Sequence, residues 1–138
     1  MSKLSATIQR KIAFYEMDAI RMVWHGNYVK FLEEGREAWG EQFGLSYMQI
    51  FNNGYVVPVV DLHLQYKNSA YMGDVLAIET TYIPTKAAKL QFEYHIYRES
   101  DGATILKATS TQLFVTADGK FDPSTPAFVT TWRNTHNV

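Results

Sequence analysis

The stretch DAIRMVWHGNYVKFLEEGREAW, residues 18–39, sets an acid, then a histidine seven residues on, then apolar residues at helical spacing. From Tyr28 the apolar positions fall at Tyr28, Phe31, Leu32, Ala38, Trp39 and Phe43, with Gly35 on the same stripe. Lys30, Glu33, Glu34, Glu37 and Glu41 mostly take the other side. The spacing predicts a helix from about Tyr28 to Phe43, with Asn27 as N-cap and Gly44 just past its end. Gly35 would let that helix backbone lie close to whatever it packs on.

Outward from the helix the period changes to two. After Gly54, Val60, Leu62, Leu64 and Tyr66 share one face and Val59, Asp61, His63 and Gln65 the other, which reads as a long strand. The alternation returns in Asp74–Pro84, Ala88–Glu99 and Thr104–Thr116, separated by PTKA and SDGA, whose Pro84 and Asp101-Gly102 are turn signals. With Ala6–Glu16 as a first strand, the order is strand, long helix, then four strands of an antiparallel meander. Such a chain must bury the helix stripe on one sheet face, which makes a two-layer α+β domain. A curved sheet of about five strands around one helix leaves exposed edges, and edge pairing into a dimer is the natural remedy.

Composition bounds the function. A chain of 138 residues is the size of one domain, so residues 1–138 are read as a single unit with one site. A formal net charge of -1 gives no general pull toward nucleic acid or an anionic membrane. There is no cysteine, which excludes disulfides, thiol nucleophiles and thiolate-bound metals, so any nucleophile is oxygen- or nitrogen-based. The start, MSKLSATIQRKIAFYE, carries Lys3, Arg10 and Lys11 but no signal-peptide core, and no later run is long and apolar enough to insert in a membrane. The expectation is a cytoplasmic protein. DGKFDPSTP, near the end, resembles a linker.

The residues from Phe14 to Glu37 carry a resemblance. FYEMDAIRMVWHGNYVKFLEEGRE is similar to the signature of the hotdog-fold acyl-CoA thioesterases of the 4-hydroxybenzoyl-CoA thioesterase type. Asp18, His25, Asn27, Tyr28, Phe31, Glu33 and Arg36 match in order and spacing, and the likeness continues through YVVPVVDLHLQYKNSAYMGDVLAIETTY into KAAKLQFEYHIYR. Between acid and histidine many members have a glycine-rich turn, where this chain has the bulkier Ile20, Arg21 and Met22. The resemblance implies hydrolysis of an acyl-CoA thioester by a homodimer or homotetramer. It implies no cofactor, since the coenzyme A moiety belongs to the substrate.

Thioester hydrolysis needs an attacking water or carboxylate and a donor for the developing oxyanion. Asp18, in the turn before the helix, is the candidate for the first, as general base or as nucleophile. The backbone N–H groups near Asn27 and Tyr28, at the positive end of the helix, are candidates for the second. His25 would orient the water or substrate, or carry a proton. Against this stands the plain reading in which Asp18 caps a turn, His25 is hydrogen-bonded structure, and Asn27 and Tyr28 are cap and core. Glu33 and Arg36, three apart, read as an ion pair. Asp61 and His63 lack a third ligand nearby, so no metal site is expected there, and they are assigned to a dimer contact or solvent. Lys86 and Lys89 are substrate-binding candidates for the coenzyme A phosphates, on this subunit or a neighbour, with Arg98 as a further cation.

Two other functions stay open: a hotdog hydratase or dehydratase, whose proline-rich signature HGNYVKFLEE does not resemble, and a non-catalytic acyl-thioester sensor. The acyl group, and coenzyme A against acyl carrier protein, are not decided at this level.

Overall fold

A computed structural model describes residues 4–138, so Lys3 lies outside the described residues. Its framework is a five-stranded antiparallel sheet in the order β1-β4-β5-β6-β3. The strands are β1 (Ser5–Lys11), β3 (Val59–Tyr66), β4 (Val75–Ile83), β5 (Lys89–Arg98) and β6 (Thr104–Leu113). The short β2 (Tyr55–Val56) and β7 (Val115–Thr116) pair separately. Helix α1 (Asn27–Phe43) lies on one sheet face, giving the α+β hotdog arrangement the sequence leads one to expect.

The helix stripe lies where periodicity puts it: Tyr28, Phe31, Leu32, Gly35 and Trp39 are buried. Trp39 stacks on Tyr82 at 5.7 Å and meets Phe92 edge-on at 4.7 Å, so the helix is fixed to β4 and β5 by ring packing. Gly35 earns its place by close approach, because a Cβ there would come within 2.7 Å of Ile78 Cγ2 and of Thr80 Oγ1. Gly44 ends the helix in the left-handed conformation, φ 86°, and its N–H donates to Gly40 O.

Several expectations need correction. The first strand stops at Lys11, and Phe14–Glu16 is a 3-10 turn. The Glu16 carboxylate causes it, accepting from Ala13 N at 2.9 Å while ion-pairing with Arg10 Nη2 at 2.6 Å, which draws the chain back on itself. The N-cap of α1 is Gly26, with no side-chain cap, and Asn27 is the first helical residue. Its amide instead donates to Glu16 O at 2.9 Å. Arg36 does not pair with Glu33. It turns inward, 1% exposed, with Nε donating to Gln112 Oε1 at 3.0 Å and Nη1 to Leu45 O at 3.0 Å. Its guanidinium lies over the rings of Trp39, Tyr47 and Phe92.

Two helices add to the single one expected. In α2 (Tyr47–Asn52) Ser46 and Gln49 form a capping box. α3 (Ala127–His136) follows the linker-like segment and is docked by Trp132, whose Nε1 donates to Phe43 O at 2.6 Å, and by Arg133, which donates to Ala87 O and Lys89 O. The edge strand β3 is exposed on both faces except at Leu64, with Val60 54% and Tyr66 52% exposed.

Candidate active site

Asp18 sits in a tight loop between β1 and α1 that closes on itself. Met17 bridges Val23, Asp18 N donates to Met22 O at 2.7 Å, and Arg21 N donates to Asp18 O at 3.1 Å. The Asp18 side chain caps this loop: Oδ1 accepts from Ile20 N at 2.9 Å and from Met22 N at 3.2 Å. That is the geometry of the plain reading, yet it occupies one oxygen only. Asp18 is half-buried and lines a cavity of about 730 Å³ whose other walls are Phe14, Tyr15, Met17, Arg21, Tyr71 and Met72. A pinned carboxylate on a largely apolar cavity is able to take a proton from water or to attack a carbonyl directly.

The loop is anchored by Glu16, which sequence reasoning did not single out. Glu16 is 1% exposed and its carboxylate pairs with Arg10, whose Nε also reaches Glu34 Oε2 of α1 at 3.0 Å. Its backbone oxygen accepts from Trp24 N and from the Asn27 amide. One residue thus ties β1, the loop and the start of α1 together. The signal in the sequence was the pair Arg10 and Glu16, six apart across a strand end, which alternation alone does not single out.

The histidine stands apart from the acid. His25 is exposed and lines a different cavity, about 290 Å³, with Met22, Tyr28 and Tyr66. Its ring lies 5.3 Å from that of Trp24, and its carbonyl accepts from Tyr66 Oη at 3.2 Å. Within one chain, then, Asp18 and His25 flank the beginning of α1 without sharing a cavity. Of the two backbone donors, Asn27 N is committed to Trp24 O at 2.9 Å, whereas Tyr28 N reaches His25 O at 3.4 Å, a weak bond. The Tyr28 ring is buried in the core, and burial pushes its phenol up to about 12, so it stays neutral at physiological pH.

Further along α1 a polar group lies inside the fold. Gln112 joins the buried Arg36 to Tyr47, its Nε2 donating to Tyr47 Oη at 3.1 Å, and Tyr47 Oη donates to Glu33 Oε2 at 3.0 Å. Tyr94 Oη shares a 2.9 Å hydrogen bond with Ser110 Oγ, and burial pushes the Tyr94 phenol up to about 12. Arg36 Nη2 is buried without a partner, and burial lowers the guanidinium from its ordinary value.

Lys86 and Lys89 belong to the β4–β5 hairpin. Register places Val75 of β4 beside Lys11 and Thr81 beside Ser5, so the hairpin lies at the Trp39 end of α1 and the Asp18 loop at the other. The nine residues of β4 span roughly 30 Å at about 3.3 Å each, beyond a lysine's reach. Lys86 there lines a cavity of about 640 Å³ with Arg133 and Thr125. Arg98 lies at the Asp18 end but is paired with Asp74 and Asp101. Asp61 and His63 lie on exposed β3.

The family model of the thioesterase-like superfamily matches residues 12–132. The Bacillus subtilis protein YneP, provisionally named an acyl-CoA thioesterase, is 30% identical over 105 residues, covering 76% of this chain and 75% of its own. The structure of Slr0204, a 1,4-dihydroxy-2-naphthoyl-CoA thioesterase from Synechocystis, superposes with a TM-score of 0.82 at 19% identity, over 97% of this chain and 98% of that one. A 4-hydroxybenzoyl-CoA thioesterase, solved as an aspartate-to-asparagine mutant complexed with 4-hydroxybenzoyl-CoA, gives 0.80 at 24% identity, over 93% and 97%. On its loop, its helix and its sheet order, the chain belongs to the thioesterase-like superfamily, with the hotdog fold and the thioester hydrolysis of that group.

Proposed function

We propose that the protein hydrolyses an acyl-CoA thioester to the free acid and coenzyme A, with Asp18 supplying the attack. The observation that carries this reading is the Asp18 carboxylate itself, pinned through Oδ1 by two backbone N–H groups and lining a large, mainly apolar cavity. As a general base, Asp18 takes a proton from water while the hydroxide adds to the carbonyl. The tetrahedral intermediate then expels the thiolate, which takes that proton back. As a nucleophile, it adds to the carbonyl and expels the coenzyme A thiolate to leave a mixed anhydride, which water then opens to the free acid and the Asp18 carboxylate, its released proton going to the thiolate. For the developing oxyanion the candidate donor is the weakly committed Tyr28 N–H at the positive end of the helix; Tyr28 lines the neighbouring His25 cavity, so this role requires the thioester carbonyl to lie between the two cavities. His25, on the wall of the neighbouring cavity, orients the water or carries a proton.

The working form is a homodimer or homotetramer built on the open edge of β3, in a single-domain, cytoplasmic protein that needs no cofactor. In such an assembly Lys86 and Lys89 serve the coenzyme A phosphates at a neighbour's site, since they lie far from Asp18 in their own chain. Thiol release from short, long and aromatic acyl-CoAs, with one acyl carrier protein ester beside them, tests the reading. Release from at least one coenzyme A ester is expected. Release from the carrier-protein ester alone would move the substrate class, and release from none would overturn the proposal.

A further inference from the structure

Arg21 occupies a backbone position that suits glycine. Its φ of 64° lies in the left-handed region, where the other non-glycine among the described residues is Asn137, an ordinary occupant at the end of α3. The turn does not need a long side chain, because it is closed by backbone bonds and by Asp18 Oδ1. Among the described residues the Arg21 guanidinium makes no ion pair and no hydrogen bond, so nothing within the chain uses it. Arg21 is exposed, so its unpaired guanidinium is free to meet a ligand that enters the neighbouring cavity.

That cation lines the cavity of Asp18, three residues away and joined to it by the turn's 3.1 Å bond. The remaining walls are aromatic and thioether side chains, which makes Asp18 and Arg21 the two charged residues facing the cavity. They do not pair with each other. A substrate carrying its own carboxylate into this space would be repelled by Asp18, and an unpaired guanidinium in the same wall offsets that repulsion and offers a two-pronged hydrogen bond.

We propose that Arg21 determines acyl specificity: it pairs with a carboxylate borne by the acyl group, so the preferred substrates are coenzyme A esters of dicarboxylic acids. The inference rests on the hydrolase reading of Asp18's cavity. Coenzyme A phosphates offer similar oxygens, but the whole pantetheine arm separates them from the thioester, whereas Arg21 shares one turn with Asp18.

The test compares glutaryl-CoA with pentanoyl-CoA, and each with its 3′-dephospho form, on wild type, Arg21→Gly and Arg21→Lys. The expected result is a loss of about tenfold in kcat/KM for glutaryl-CoA in Arg21→Gly, mostly in KM, with pentanoyl-CoA nearly unchanged and Arg21→Lys in between. Thermal stability of Arg21→Gly should hold or rise, because glycine fits the turn. Equal losses for both esters would overturn the proposal, and losses that vanish with the dephospho forms would assign the cation to coenzyme A. Calorimetric binding of the matching non-hydrolysable thioethers reads the same preference without turnover. If no ester is cleaved, the hydrolase reading fails while the ratio of these affinities still decides the role of Arg21.

Discussion

Asp18 does two things at once: one carboxylate oxygen closes a turn and the residue still faces a cavity. That economy depends on Glu16, whose burial beside Arg10 fixes where the turn begins. Glu16→Gln removes the charge but keeps an acceptor for Ala13 N–H, and Arg10 retains Glu34 and some solvent, so the full penalty of stranding a buried ion does not apply. The expected cost is about 1–3 kcal/mol in chemical denaturation. An accompanying fall in turnover would show the loop losing its register, and an unchanged midpoint would contradict the anchoring role. The acid was legible in the sequence because acid, histidine and helix recur at matched spacing. Gln112 and the inward turn of Arg36 were not, because they are fixed by each other across 76 residues, and Glu16 was not, because its ion pair with Arg10 spans a strand end that alternation does not mark.

At the scale of elements, α1 and β4 approach closely enough that Gly35 has no room for a methyl group. Ala in place of Gly gains up to about 1 kcal/mol of helix propensity. Against this, a Cβ at 2.7 Å from Ile78 Cγ2 and Thr80 Oγ1 forces the helix outward, at about 1–3 kcal/mol for overpacking. Gly35→Ala is therefore expected to lower the denaturation midpoint, and a stabilised variant would contradict the packing. Periodicity located α1 and the strands because each buries one side. It missed α2, a helix of six residues, and α3, where Pro126, Phe128, Val129 and Trp132 gave a helix start and an apolar face inside a stretch too short to stand out. The strand end at Lys11 was lost for another reason, since alternation runs on past the point where Glu16 turns the chain.

For the whole molecule the open question is what covers β3. An edge strand with Val60 54%, Leu62 36% and Tyr66 52% exposed is an invitation to pair with another chain. The alternation of its apolar residues was read correctly from the sequence as a strand, but in one chain only Leu64 is even partly buried, which fits burial of the rest by a second copy. Val60→Lys should shift sedimentation from an oligomer to the mass of one chain and reduce activity with it. A wild type that sediments as a monomer would contradict the assembly.

The central claim is that Asp18 performs the chemistry, and the most direct measurement is thiol release by wild type and Asp18→Asn on the best ester, with circular dichroism on both. Asparagine keeps an oxygen for the Ile20 and Met22 N–H groups, so the turn should survive. The account predicts a folded variant slower by about 10²–10⁴-fold, the range expected for removing a general base. Equal rates in the two proteins would contradict it and leave Asp18 a turn residue.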